Sequence, residues 1–98
     1  MAGLVALAAI ACQPPQLGTI DIVTTGVVIA VDGPNAAQVD RVTIRSNDGA
    51  LHVLNVGPLD LSNGGLPAPH LREHLVSGEP ITAYARNDVM YRYMDAAE

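Results

Sequence analysis

The chain has 98 residues, is 49% hydrophobic, and contains three Tyr but neither Phe nor Trp. That makes one small globular domain, whose core has to come from Val, Ile, Leu, Ala and Met. Formal net charge is −5, the positive side chains are five Arg and no Lys, and nucleic acid is disfavoured as a partner because phosphate binding leaves a basic footprint.

Residues 1–11 read as a signal-peptide-like segment. The apolar run at 4–11 is far short of the roughly 20 residues that span a bilayer, yet it falls within the about 7–15 residues of a signal-peptide core. Ala9-Ile10-Ala11-Cys12 resembles the bacterial lipobox. The resemblance implies cleavage before Cys12, lipidation of its thiol, and a membrane anchor on the extracytoplasmic side of the cell envelope. Residues 12–19 then hold the lipobox cysteine and a linker, and 20–96 hold the folded domain. The competing reading, a structural segment with a buried free thiol, is disfavoured by Pro14-Pro15 just past the cysteine.

Within the domain, Thr24 to Asp32 alternates and is β-branched, which predicts a long first strand with Val27, Ile29 and Val31 on one face. Gly33-Pro34-Asn35 ends it. Val39 to Ser46 is the second strand, with Val42 and Ile44 inward and Arg41, Thr43 and Arg45 outward. Asn47-Asp48-Gly49 is a hairpin signal, Leu51 to Val56 the third strand, and Gly57-Pro58 its stop. Pro67 to Gly78 has Pro near its start and Gly at its end, as a helix does. Leu71 and Leu75, one turn apart, are its expected buried stripe. Ile81 to Arg86 and Val89 to Asp95 are strands four and five, joined at Asn87-Asp88.

Three strands, a short helix and two strands is the layout of a mainly β, five-stranded OB-like barrel whose helix lies between strands three and four. A split barrel or small sandwich is the alternative. The glycine in the long first strand, Gly26, suits a strand that has to bend around a barrel.

Gly26-Val27-Val28-Ile29-Ala30-Val31-Asp32-Gly33, the hairpin Arg45-Ser46-Asn47-Asp48-Gly49, and the helix Pro67 to His74 leading into Gly78-Glu79-Pro80 together resemble small exported bacterial domains of unassigned function. The resemblance covers residues 24 to 95. It implies an OB-like barrel and export, and carries no activity with it.

The chemistry centres on His70-Leu71-Arg72-Glu73-His74. Histidines four apart on a helix share a flank, and imidazole suits zinc or copper. The pattern is similar to the His-x-x-Glu-His of inverted zinc metallopeptidases, but a two-turn helix in so small a chain leaves no room for a substrate cleft. A binding-only site remains, with His70, His74 and Glu73 as ligands and His52 or Asp60 as further donors. The bland alternative pairs His74 with the helix dipole, uses His70 to hold a loop, and pairs Glu73 with Arg72 or a backbone amide.

Tyr84, Tyr91 and Tyr93 could form a stacking platform, without a basic groove beside it. No nucleophile sits in an activating context, and no phosphate loop is present. The expected function is therefore a non-catalytic, exported, lipid-anchored domain that binds an unidentified protein or small-molecule ligand without a cofactor. The alternatives are a zinc- or copper-binding envelope protein using His70 and His74, and an oligonucleotide-binding OB domain.

Overall fold

The computed structural model describes residues 21–96; the signal-peptide-like segment, Cys12 and its linker lie outside the described residues. Among the described residues five strands and one helix follow in order: β1 (Asp21–Asp32), β2 (Arg41–Ser46), β3 (Leu51–Val56), α1 (His70–Ser77), β4 (Ile81–Arg86) and β5 (Val89–Asp95). The architecture is mainly β, with the single helix between the third and fourth strands as its sequence spacing predicts. No helix among the described residues is long and apolar enough to cross a membrane.

The strands form one sheet that closes on itself in the order β1-β2-β3-β5-β4 and back to β1. All neighbours are antiparallel except β3 and β5, which meet in parallel over Asn55–Val89 and Val56–Met90. Closure depends on β1, whose first half pairs with β4 and whose second half pairs with β2. Gly26 belongs to both registers, opposite Ser46 and opposite Ile81. A Cβ at Gly26 would collide with the Arg45 carbonyl, so the strand crosses from one partner to the other only because a glycine stands there.

The expected grouping of Val27, Ile29 and Val31 on one face holds only in part. Burial on β1 follows Thr24, Gly26 and Val28 instead. The register then shifts between Val28 and Ala30, and Val31 is the residue beyond the shift that packs on the core. The extra residue is Ile29, and such a bulge reverses which face of a strand looks inward.

On β2, Val42 and Ile44 are fully buried while Arg41 and Arg45 are exposed. They pack with Val28, Leu54, Ile81, Ala83, Met90 and Tyr93 into one core, which Leu71 of α1 joins. Gly49 takes a φ of +88° in the first hairpin, and Asn87 and Asp88 take +54° and +64° in the second. Paired positive φ is what a two-residue hairpin needs to match strand twist.

Where β3 covers only the start of β5, the segment 57–66 takes over. The amides of Gly57, Asp60 and Leu66 donate to the carbonyls of Met90, Tyr91 and Tyr93. The Arg92 guanidinium holds the same segment through the carbonyls of Ser62 and Asn63 at 2.5 and 2.6 Å and the Asp60 carboxylate at 3.4 Å.

Candidate metal centre

The helix α1 begins after Pro69 and ends at Gly78, whose φ of 77° is left-handed and whose N–H donates to the His74 carbonyl. Leu71 is completely buried and fastens the helix to the ring. Its buried companion is not Leu75, as the apolar spacing predicts, but His74. His74 is 3% exposed, while Leu75 is 38% exposed. The helix is rotated so that positions i and i+3 face inward, and the imidazole is tolerated there because both ring nitrogens have partners.

Those partners define the site. His74 Nδ1 donates to the Glu79 carbonyl at 2.8 Å, which leaves Nε2 facing Asp95 Oδ1 at 2.7 Å. Asp95 ends β5 and lies opposite Ile81, the first residue of β4, in the β4–β5 register. The Ala96 amide donates to the Pro80 carbonyl at 3.1 Å and holds that strand end against the start of β4. His70 stands beside His74 with ring centroids 5.0 Å apart and planes at 76°. Its Nδ1 is 3.3 Å from Glu73 Oε1 and its Nε2 is 4.0 Å from Asp95 Oδ1.

One ligand atom from each of His70, His74 and Asp95 lies within 4.8 Å of the others. Glu73, expected as a ligand, lies against Nδ1 of His70, and the Glu79 carbonyl lies against Nδ1 of His74. Carboxylates and carbonyls placed behind imidazoles fix the ring orientation and tautomer of metal-binding histidines. The cleft over these groups measures about 190 Å³ and is lined by His70, Glu73, His74, Ser77, Glu79 and Asp95.

Tyr93 sets the height of the helix. Its ring is buried, its hydroxyl donates to the Pro67 carbonyl at 2.6 Å, and its edge meets His74 with centroids 6.4 Å apart. Burial pushes the Tyr93 pKa well up, with the charges of Asp95 and Glu73 adding to it, so the hydroxyl stays a neutral donor. A platform of three tyrosines is thereby ruled out, because Tyr93 belongs to the core. Tyr91 is half-buried under the Arg86 guanidinium, 5.1 Å from its centroid.

The other expected donors are placed elsewhere. His52 Nε2 lies 3.1 Å from Ser46 Oγ, and Ser46 Oγ in turn donates to Asp48 in the first hairpin. Hydrogen bonds from the Ser46 hydroxyl and the Ala50 amide hold the Asp48 carboxyl below its ordinary value. Asp60 accepts from the Ser62 hydroxyl and amide and pairs with Arg92, which likewise lowers its pKa. Arg72 reaches away from Glu73 to the carbonyls of Asn35 at 2.8 Å and Gln38 at 3.3 Å.

Scans against protein-family models, curated proteins and solved structures find no match to this chain.

Proposed function

We propose that this domain binds a divalent transition-metal ion, zinc or copper(II), through Nε2 of His70, Nε2 of His74 and the carboxylate of Asp95. The supporting observation is the 2.7 Å approach of His74 Nε2 to Asp95 Oδ1. Because Nδ1 already gives its proton to a carbonyl, a bare Nε2 would set its lone pair against a carboxylate. A positive species has to lie between them, either a proton or a metal ion. With metal–ligand bonds of about 2.0–2.2 Å, a tetrahedral ion would hold the two atoms roughly 3.3 Å apart. Asp95 can swing by those few tenths of an ångström, since its side chain is 67% exposed.

Two imidazoles and a carboxylate form a borderline donor set suited to Zn²⁺ or Cu²⁺. The role is binding and not catalysis, because the cleft of about 190 Å³ is smaller than the roughly 300–1,000 Å³ of ordinary ligand pockets. The strand order, with the helix between β3 and β4, supports placing the domain among five-stranded OB-like barrels. Export and a lipid anchor on Cys12 complete the proposal, and a diacylglyceryl mass on Cys12 in protein from the native host would test them.

The metal reading is tested by zinc titration followed through histidine side-chain NMR. His70 and His74 should shift together and saturate near one equivalent while His52 stays put. Unchanged His70 and His74 signals under a several-fold excess would end the reading.

A further inference from the structure

We infer that the ion held by His70, His74 and Asp95 keeps an open coordination position facing the cleft, and that this position takes a neutral imidazole, such as a histidine side chain from a partner peptide, in preference to an anion. The inference rests on the metal reading and adds the class of external ligand.

The open position follows from where the ligands come from. Two donors sit on one helix and the third on a strand end beside it, so all three approach the ion from the protein side. The opposite side is the cleft. At about 190 Å³ the cleft has space for a flat ring of imidazole size. Three protein ligands and one exchangeable position is the arrangement of open zinc sites.

The choice of ligand follows from charge. The residues that line the cleft include Glu73, Glu79 and Asp95 and no Lys or Arg. The nearest helical arginine, Arg72, is turned toward the carbonyls of Asn35 and Gln38. The three acidic residues that border the cleft carry more charge than one divalent ion offsets, so an incoming acetate or phosphate meets net negative charge. An imidazole brings no charge. Its coordinating nitrogen meets the ion while its other N–H points into a rim of carboxylate acceptors, where a charge-assisted hydrogen bond is available.

The test uses the protein loaded with one equivalent of Cu²⁺ and titrated separately with imidazole, acetate and phosphate. Imidazole should add a third coupled nitrogen to the EPR pattern and move the visible band to shorter wavelength, half-saturating at roughly one tenth of the acetate concentration. Gel filtration should show copper still with the protein. Glu79→Gln, which keeps the backbone carbonyl that holds His74, should narrow the gap between imidazole and acetate. The inference is overturned if acetate or phosphate binds as readily as imidazole, if imidazole leaves the spectrum unchanged, or if it carries the copper away. Copper that leaves the His70 and His74 signals unbroadened would instead overturn the metal centre itself.

Discussion

Nε2 of His74 meets Oδ1 of Asp95 at 2.7 Å, and this contact joins α1 to the last residue of β5. It fastens the helix to the ring as well as forming a candidate half of a metal site. The same His74 holds the α1–β4 connection through the Glu79 carbonyl. A cation placed at Asp95 would therefore tie together helix, connection and strand end, and metal should stabilise the folded state by mass action.

Asp95→Ala should lower zinc affinity by at least about 10–100-fold, the loss typical of disturbing even an outer partner of a metal ligand. Competition against a chromophoric chelator measures it. Asp95 is exposed at the strand end, so the variant should fold with its circular dichroism intact. Wild-type affinity in a folded Asp95→Ala protein would remove Asp95 from the ligand set.

Glu73→Gln probes the orienting role of the residue behind His70, at 3.3 Å from its Nδ1. If Glu73 orients His70 and does not bind the ion, the variant should weaken zinc by about tenfold, the small end of the range for such outer partners. The number of nitrogens seen by EPR of the copper form should not change. Loss of metal equal to that of His70→Ala would make Glu73 a direct ligand.

Much of this fold was legible along the chain. Alternation placed β2 and its inward Val42 and Ile44, and Asn-Asp-Gly and Asn-Asp placed the two hairpins, because turn chemistry and period-two burial are local properties. Three features were not. The bulge at Ile29 reversed the inward phase of β1 in mid-strand, which no pattern of β-branched residues reveals. Leu75 outranks His74 on any apolar scale, yet His74 is the buried one, because its partners at Glu79 and Asp95 exist only in the folded chain. Asp95 itself has no local signature in Tyr93-Met94-Asp95-Ala96. It becomes a candidate ligand when β5 runs beside β4 and brings Asp95 to His74 of the helix.

Leu71→Ala and Leu75→Ala should separate cleanly in urea denaturation. Leu71 is fully buried and Leu75 is 38% exposed. The first should cost about 2–5 kcal/mol through lost transfer and a cavity. The second should stay near the roughly 0.5 kcal/mol of ordinary surface changes, or somewhat above it. Equal losses would mean that the helix packs on the i, i+4 stripe of the two leucines.

Gly26→Ala tests the crossover of β1. A methyl group there meets the Arg45 carbonyl and the Ile44 side chain, with β4 bonded to the other edge of the same residue. The strand cannot yield toward either partner without losing a ladder, so the substitution should cost about 1–3 kcal/mol or more. Thermal unfolding would show it. Unaltered stability would mean that the ring can breathe at this position.

Asp60 predicts a small acid-sensitive component. Hydrogen bonds from the Ser62 hydroxyl and amide, with the Arg92 charge behind them, lower its folded pKa below the ordinary carboxylate value. A lowered folded pKa means stability that is fully present above the unfolded value of about 3.9 and is lost as pH falls through the folded one. The carboxylate is exposed, so solvent screening keeps the effect modest. Asp60→Asn keeps an oxygen acceptor for the Ser62 amide but carries no proton-linked charge. Its urea midpoint should therefore lie below that of the wild type at neutral pH, and the gap should close as the solution is acidified below the carboxylate range. Because Arg92 grips the 57–66 segment through two carbonyls as well as through Asp60, the segment should stay docked in the variant. A gap that persists unchanged at low pH would assign the contribution of Asp60 to hydrogen-bond geometry and not to its charge.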